Sequence, residues 1–263
     1  MDLGLKGKIA IVAAASKGLG LAVATELARE GAEVAICARS AERLEKATQA
    51  IRAASGRTVY SEAFDVTDAG RVGQFVAAVE KTFGRVDICV TNAGGPPSKP
   101  FMDISIAEWR AAVDMTLLSA VYFAREVLPR MQKNRWGRFV TITSSSVKQP
   151  LDNLMLSNSI RAAVTGLAKT LANEFGPSGI TVNNVCPGFT QTDRLVELAD
   201  ARAAATGQTR EKIFETWAAL SPLRRVGQPE EFAAAVAFLV SERASYINGV
   251  SLAVDGGSVK SLL

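Results

Sequence analysis

Histidine is absent from this chain of 263 residues. Its absence excludes a Ser-His-Asp triad, an imidazole base and any metal site built on histidine ligands. Proton transfer would therefore depend on carboxylates, lysine, tyrosine, serine or water, and we expect no metal centre. The 3 cysteines, Cys37, Cys89 and Cys186, lie far apart inside apolar runs and form no CxxC pair. This spacing favours reduced core thiols in a cytoplasmic protein.

Long apolar runs and concentrated charge are also missing. No apolar run approaches the ~18 residues that cross a bilayer, and the first residues (MDLGLKGKIAIV) contain no basic-then-apolar leader. The net charge of +4 comes from 30 Lys and Arg against 26 Asp and Glu, and the longest basic cluster is the pair Arg224 and Arg225. Nucleic-acid surfaces concentrate positive charge in a patch or stripe. We therefore expect a soluble protein with neither a nucleic-acid partner nor a membrane partner.

Short apolar runs rich in β-branched residues alternate with longer helical patterns along the whole chain. Seven runs are predicted as strands: residues 8–14, 33–38, 58–65, 86–91, 138–143, 180–185 and 250–254. Strands that are apolar on both faces and separated by helices predict a parallel sheet that helices cover on both sides. No Pro/Ser-rich linker divides the chain. The sequence thus predicts an α/β fold, a single doubly wound Rossmann domain over residues 1–263 with about seven strands.

One helical segment and one irregular segment stand out between the strands. Ser105 and Glu108 form a capping-box pattern that opens a long helix to about Gln132. The stretch 190–226 is long, polar and Ala-rich, with Phe214 and Trp217 as its only aromatic residues. It is either a mobile substrate lid or a surface insertion, and the sequence leaves both open.

A glycine-containing turn, residues 13–20 (AAASKGLG), follows the first strand. Ligands of doubly wound sheets bind at the carboxyl ends of the strands. Gly18 and Gly20 open the next helix, where free N–H groups and the helix dipole favour a pyrophosphate. The second strand ends with Arg39 rather than with the acidic residue that holds a ribose 2′-OH in NAD-preferring folds. Arg39 and Lys17 place positive charge where a 2′-phosphate would lie, which favours NADP(H), with NAD(H) also possible.

Six short motifs, in this order, resemble the short-chain dehydrogenase/reductase family along nearly the whole chain. They are the first turn, Asp65-Val66, residues 92–95 (NAGG), Pro187-Gly188, Thr192 and residues 254–257 (VDGG). The resemblance implies that Asp65 and Val66 contact adenine, that residues 92–94 support the sheet beside the cofactor, and that Pro187, Gly188 and Thr192 line the nicotinamide. The implied cofactor-binding residues are Ala14, Ser16, Lys17, Gly18, Leu19, Gly20, Arg39, Asp65, Val66, Asn92, Ala93, Gly94, Arg161, Pro187, Gly188 and Thr192.

The chain is most similar, within that family, to the β-ketoacyl-acyl-carrier-protein reductases. These enzymes reduce a ketone with NADPH and are usually tetramers, so the resemblance implies a homo-oligomer, a tetramer. The implied substrate is a small-molecule carbonyl or alcohol, or an acyl thioester.

The positions that carry the family's chemistry differ in this chain. Ala14 stands where the family turn has glycine, which puts a methyl group where the backbone usually approaches the cofactor. Ser144 matches the family's catalytic serine, but Ser157, 13 residues later, stands in place of the tyrosine, and Arg161, 4 residues after that, in place of the lysine. The helical asparagine that anchors a proton-relay water falls on Thr116. The resemblance therefore points to a divergent branch that lacks the Tyr-Lys pair.

Serine and arginine cannot repeat the chemistry of tyrosine and lysine. A tyrosine with a pKa near 10 is brought toward working pH by a nearby ammonium, whereas a serine hydroxyl is shorter and far less acidic. Arg161 lies one turn after Ser157 on the same helix face, and it can hydrogen-bond a ribose but cannot relay protons. Lys148 and Asp152, in the loop after Ser144, are further candidates for an acid or base.

Two classes of function follow. The first is an NADP(H)-dependent oxidoreductase, similar to 3-oxoacyl-ACP reductases, in which Ser144 orients the substrate oxygen and Ser157 and Arg161 replace the missing pair. The second is a nucleotide-binding pseudoenzyme that acts as a sensor or as a subunit of a mixed oligomer. A non-redox enzyme that uses the same pocket is a third reading, and the retained cofactor motifs favour the first two.

Overall fold

The seven strands pair in parallel, in the order β3-β2-β1-β4-β5-β6-β7, in the computed structural model, which describes residues 1–262. They are β1 Ile9–Ala13, β2 Glu33–Ala38, β3 Val59–Ala63, β4 Ile88–Thr91, β5 Gly137–Ile142, β6 Ile180–Pro187 and β7 Ser251–Val254. The predicted doubly wound sheet of about seven strands is confirmed. Among the predicted strands, the sixth extends two residues further than expected, so that it ends at Pro187 beside the candidate site.

Helices connect the strands and cover both faces of the sheet. They are α1 Gly18–Arg29, α2 Ala41–Ser55, α3 Ala69–Phe83, α4 Ile106–Val113, α5 Ser119–Lys133, α6 Met155–Phe175, α7 Asp193–Thr206, α8 Arg210–Leu220 and α9 Pro229–Leu239. The predicted capping box is present, since Ser105 Oγ accepts from the Glu108 N–H at 3.2 Å and a Glu108 carboxylate oxygen accepts from the Ser105 N–H at 2.9 Å. The long helix that it opens contains a π-helical turn, Asp114–Leu118, between α4 and α5.

Alternation along the strands divides the core into two layers. In β1, Ala10 and Val12 pack with α1, α2 and α9 on one face, whereas Ile9 and Ile11 pack with α3, α5 and α6 on the other. All five residues of β1 are buried, as expected for the centre of a parallel sheet. Each fully buried aliphatic or aromatic side chain contributes about 1.5–3 kcal/mol, so the sheet position of β1 is strongly determined.

The strand order reverses beside β1, which has β2 on one side and β4 on the other. The crossovers leave β1 and β4 in opposite directions, and their helices therefore separate above the carboxyl ends of these strands. Doubly wound sheets bind ligands in the crevice that forms there.

The stretch 190–226 consists largely of α7 and α8, which share a small core of their own. Its buried residues include Leu195, Ala199, Ile213 and Trp217, and the Trp217 ring stacks on Phe189 with centroids 4.9 Å apart. The segment thus consists largely of two helices with a shared core. Within residues 1–262, no helix has both the length and the apolar character needed to cross a bilayer.

Candidate active site

A groove of about 1080 Å³ runs along the carboxyl edge of the sheet, beneath α7. Its walls come from the first turn, the ends of β2 to β6, and the start of α6. All the predicted cofactor-binding and catalytic residues line it except Gly20 and Thr116. The groove therefore brings together residues that lie up to about 180 positions apart, from Ala14 to Thr192.

Backbone atoms of the first turn and of the start of α1 approach each other closely. A Cβ atom on Gly20 would lie 2.5 Å from the Ala14 carbonyl oxygen, so Gly20 is needed beneath the turn and not on the groove surface. Gly20, which was predicted to bind the cofactor, is not among the residues that line the groove. Gly18 has φ of +58°, and Ala14 adopts φ of +50°, a left-handed conformation in which glycine is strongly preferred.

No acidic residue occupies the first turn of α1, and no side chain caps it, which leaves its N–H groups available for an anion.

Two arginines border the groove where β2 ends. Arg39 is exposed, and Arg43, which the sequence analysis missed, lies in the first turn of α2 after the N-cap Ser40. Neither guanidinium hydrogen-bonds or forms an ion pair with a described residue. The N-cap residue Ser40 could have pointed to Arg43, because the first turn of the helix that it caps faces the strand ends.

The ends of β3 and β4 supply the next part of the wall. Asp65 is exposed and its Oδ1 accepts from the Thr67 N–H at 3.0 Å and from the Thr67 hydroxyl at 2.9 Å, which fixes the carboxylate at the groove. Val66 is buried beside it, and Asn92 and Gly94 follow along the floor. These positions are those that the resemblance assigns to cofactor contacts.

The Pro187-Gly188 motif is shaped by the chain's last segment. A Cβ atom on Gly188 would lie 2.6 Å from Asp255 Cβ, so only glycine fits there. Asp255 in turn accepts from the N–H groups of Gly257 and Val259, at 2.9 and 2.8 Å. The residues 254–257 thus hold the wall of the groove in place without lining it.

Three serines meet where β5 ends and α6 begins. Ser144 is half-buried on the groove, and its Oγ accepts from the Ser146 N–H at 3.1 Å. Ser157 is 8% exposed, and its Oγ lies 3.5 Å from Ser146 Oγ. Sequence reasoning missed Ser146, since only the turn after β5 brings its hydroxyl to that of Ser157.

Arg161 lies deeper, under the same strand end. Its Nη1 donates to the carbonyl oxygens of Ile142, at 3.0 Å, and Thr143, at 2.9 Å. Burial lowers the pKa of the guanidinium to about 10, and the charge of Arg194 acts in the same direction. The side chain therefore remains a cation at neutral pH and cannot act as a proton relay.

Thr116 occupies the π-helical turn and does not reach the groove. It lines a separate small cavity, together with Arg161 and Ser119, and its Oγ1 is buried with no partner among the described residues. Its predicted catalytic role stays a prediction, with Thr116 placed in this second cavity and not among the residues that line the groove.

Helix α7 is fastened to the groove by charged side chains. Lys17 Nζ lies 3.2 Å from Asp193 Oδ2 and 3.5 Å from Glu197 Oε1, and Arg194 Nη2 donates to the Pro96 carbonyl oxygen at 3.0 Å. Arg194 was also missed from the sequence. The position of Arg194, two residues after Thr192, could have indicated that it belongs to the site. Thr192 caps α7 by accepting from the Leu195 N–H at 3.3 Å.

The remaining acid or base candidates lie elsewhere. Neither Lys148 nor Asp152 lines the groove, and neither do Tyr60, Tyr122 and Tyr246. No described tyrosine therefore replaces the one that the family uses. The polar side chains that line the groove near Ser144 carry hydroxyl and guanidinium groups.

Comparisons with known proteins agree with this geometry. The family model described as enoyl-(acyl carrier protein) reductase matches residues 13–259. The 3-oxoacyl-[acyl-carrier-protein] reductase FabG of Vibrio cholerae is 36% identical over 257 residues, which cover 97% of this chain and 98% of that protein. The 7alpha-hydroxysteroid dehydrogenase of Escherichia coli K12 is 32% identical over 261 residues, 99% of this chain and 98% of that protein.

A solved structure matches over the full length of both chains. It is the L-sorbose reductase of Gluconobacter frateurii in complex with NADPH and L-sorbose, with a TM-score of 0.95, 33% identity and 100% coverage of each chain. The relatives named here are all oxidoreductases. The fold, the groove at the strand ends and these matches agree. The chain belongs to the short-chain dehydrogenase/reductase family.

Proposed function

We propose that this protein is an NADP(H)-dependent oxidoreductase that interconverts a carbonyl and an alcohol on a small-molecule substrate, with an atypical active site. The observation that carries the proposal is the single groove in which a phosphate-binding turn, two free guanidinium groups and the Ser144 hydroxyl meet. Family membership supports the reaction class, and the NADPH complex of the L-sorbose reductase supports the cofactor.

The residues present fit a nicotinamide dinucleotide phosphate. The uncapped N-terminus of α1 suits a pyrophosphate, because free N–H groups and the helix dipole both favour an anion. Arg39 and Arg43 suit a 2′-phosphate, since guanidinium groups bind phosphate through charge-assisted hydrogen bonds. When bound, the reduced nicotinamide supplies the hydride.

Ser144 is proposed to orient the substrate oxygen. Its Oγ already accepts from the Ser146 N–H, so its own O–H is free to donate into the groove. Arg161 lies behind this position and, as a buried cation, stabilises negative charge that develops on the substrate oxygen. Ser157 holds the place of the missing tyrosine, and α7 and α8 act as a lid that excludes water.

A second candidate is a nucleotide-binding pseudoenzyme, favoured by one observation. None of the described tyrosines lines the groove, and Arg161 is tied to two backbone carbonyls. Losing a positioned general acid costs about 10²–10⁴-fold in rate. A protein of this kind would bind the nucleotide and signal its presence, alone or within a mixed oligomer, without turnover.

Calorimetric titration with NADPH and NADH, followed by a panel of ketones and acyl thioesters, separates these functions. The oxidoreductase binds NADPH more tightly than NADH and oxidises it with at least one substrate, and Ser144→Ala abolishes this turnover. Ser159→Ala, an exposed serine of α6, is the control and retains it. Binding without turnover on the whole panel establishes the pseudoenzyme, and the absence of nucleotide binding overturns both.

A further inference from the structure

Large apolar side chains line the part of the groove that follows β4, β5 and β6. These side chains, which we call the apolar pocket, are Met115, Leu151, Leu154, Phe189, Leu195 and Leu198. Ser144 follows β5 on the same side, whereas the guanidinium groups of Arg39 and Arg43 lie on the other side, after β2. A substrate whose reacting group lies at Ser144 therefore has the apolar pocket beside the rest of its body.

The segment 94–99, which follows β4, connects two walls of this pocket. A Cβ atom on Gly94 would lie 3.6 Å from the Sδ of Met115, in the π-helical turn. At the other end of the segment, Lys99 pairs with Leu154 in a parallel β-bridge. Gly94, Met115 and Leu154 all line the groove. The π-helical turn and the loop before α6 therefore border the same part of it.

The third wall comes from α7 and the residues before it. Arg194 donates from Nη2 to the Pro96 carbonyl oxygen at 3.0 Å, which fastens the start of α7 to the segment 94–99. Leu195, the next residue, lines the groove. The Phe189 ring, which also lines it, is held by its stack on Trp217, with an angle of 8° between the ring planes. All three walls thus adjoin one short segment and form one pocket.

Asn158 holds the loop before α6 in place. Its Nδ2 donates to the Leu151 carbonyl oxygen at 2.9 Å, and its Oδ1 accepts from the Leu151 N–H at 3.3 Å. The Leu154 N–H donates to the same Leu151 carbonyl oxygen at 3.3 Å. Because Asn158 directly follows Ser157, this wall adjoins the serines of the site. The two leucines are fixed without a ligand, so little conformational entropy is lost at this wall when one binds.

The polar groups around the pocket are already engaged for the most part. Arg161 and Arg194 both donate to backbone carbonyl oxygens. Among the described residues that line the groove, every carboxylate has a hydrogen-bond or ion-pair partner, and Asn92 carries the only side-chain amide. The Ser144 hydroxyl serves one substrate oxygen. Further hydroxyl groups or a charge on the substrate would be buried without partners, which is unfavourable.

We propose that the apolar pocket selects an uncharged ketone or secondary alcohol with an apolar body, and that Met115 and Leu154 determine this specificity. The inference rests on the proposed function, because it assumes that the reacting oxygen lies at Ser144. Apolar surface that leaves water in the pocket supplies the binding free energy. The flexible thioether of Met115 adapts to the shape of the body, and the fixed Leu154 limits it. Polyols and charged substrates are the classes that the pocket disfavours.

The test compares cyclohexanol with tetrahydropyran-4-ol, in which an ether oxygen replaces one ring CH₂. Both alcohols are titrated into the full-length protein with saturating NADPH, and ligand-observed NMR measures the affinities. An alcohol cannot be oxidised by the reduced cofactor, so the titration reports binding without turnover. We expect cyclohexanol to bind about tenfold more tightly, because the ether oxygen loses water and gains no partner. trans-4-Methylcyclohexanol should bind about fourfold more tightly still, the effect of one more buried carbon.

Variants that place an amide in the pocket test the two specificity residues. Met115→Gln and Leu154→Asn should each reduce the ratio of the cyclohexanol and tetrahydropyran-4-ol affinities by about 3–10-fold, since the amide can hydrogen-bond the ether oxygen. Met102→Gln and Leu223→Asn are the matched controls and leave the ratio unchanged. Their side chains are 86% and 61% exposed and do not line the groove.

Equal or tighter binding of tetrahydropyran-4-ol overturns the proposed specificity, as does the failure of both alcohols to bind the protein loaded with NADPH. So does a ratio that survives Met115→Gln and Leu154→Asn, two variants in separate segments, of which either one that folds is sufficient. NADPH affinity without any alcohol tests the proposed function on its own. The same ratio in the nucleotide-free protein tests the pocket independently, so the two failures are distinguishable.

Discussion

The hydroxyl oxygens of Ser146 and Ser157 lie 3.5 Å apart, between the turn after β5 and the start of α6. The backbone N–H of Ser146 also donates to Ser144 Oγ at 3.1 Å. Three serines thus form a connected array from the place of the family's tyrosine to the place of its catalytic serine. Ser146 does not line the groove itself, so we expect it to act only by positioning Ser144 and Ser157.

Removal of the Ser146 hydroxyl is expected to slow the reaction without affecting the cofactor. Ser146→Ala leaves Ser157 without its partner, and one hydrogen bond contributes about 0.5–1.5 kcal/mol, so kcat falls about 2–10-fold. Calorimetry should show unchanged NADPH affinity, and Ser159→Ala should retain the full kcat. Unchanged kcat in Ser146→Ala would show that the array has no role in positioning.

Restoration of the family's pair should raise turnover. The double variant Ser157→Tyr with Arg161→Lys supplies a positioned acid, which is worth about 10²–10⁴-fold in rate. Reduction of a neutral ketone with NADPH, followed by absorbance, measures the gain. Arg161→Lys alone serves as the control and should gain little, because it adds no acid. A double variant that folds and binds NADPH yet gains nothing would indicate that the groove differs from the family's site beyond these two residues.

The left-handed backbone of Ala14 has a cost that glycine would remove. A non-glycine residue at φ of +50° is strained by about 1–2 kcal/mol, and the greater freedom of glycine in the unfolded chain offsets about half of it. Ala14→Gly should therefore raise the free energy of unfolding by about 0.5–1 kcal/mol in a denaturant titration. Ala13→Gly, in the adjoining strand, should lower it by about the same amount, since its backbone is extended and buried. A decrease in both variants would contradict the argument from strain.

The two arginines at the end of β2 should decide between the nucleotides. Arg39→Gln and Arg43→Gln each remove a charged donor from the proposed 2′-phosphate site, a loss of about 1.5–3 kcal/mol or roughly 10–100-fold in NADPH affinity. Affinity for NADH, which lacks that phosphate, serves as the internal control and should not change. Equal losses for both nucleotides would place these side chains elsewhere on the cofactor.

The ion pairs of Lys17 should compete with the cofactor phosphates for the same ammonium. The side chains of Lys17 and Asp193 are 40% and 70% exposed, so the pair contributes at most about 1 kcal/mol. Asp193→Asn should raise NADPH affinity about 2–5-fold at low salt, and the gain should vanish in about 1 M salt, where charges are screened over a few ångströms. A gain that is independent of salt would point to a change in the fold of α7 and not to the charge.

Local features of the sequence were sufficient to predict the sheet and most of the groove. The alternation of buried residues in β1 and the capping box at Ser105 are read from adjacent positions, and both are confirmed. The first turn and Arg39 were predicted as site residues because parallel strands place their carboxyl ends on one edge, and Asp65 was predicted from the family resemblance. Arg39, Asp65 and most of the turn line the groove.

Long-range contacts account for what the sequence did not reveal. Ser146 contacts Ser157 through the path of the turn after β5, which no spacing in the sequence specifies. Arg43 and Arg194 follow the capping residues Ser40 and Thr192, but only the packing of α2 and α7 shows that they line the groove. Thr116, in the π-helical turn, lines a second small cavity and not the groove, and no feature of the sequence indicated this placement.

The sequence by itself determined the fold, the family and the loss of the tyrosine and lysine, because these depend on residue type and order. Only the tertiary structure decided that Arg161 is a buried cation that donates to two backbone carbonyls and has no carboxylate partner among the described residues. Burial and charge pairing are properties of neighbours in space, and the two carbonyl groups that Arg161 contacts lie 19 and 18 positions away along the chain. The missing tyrosine and lysine were visible in the sequence, whereas the surroundings of Arg161 depend on packing.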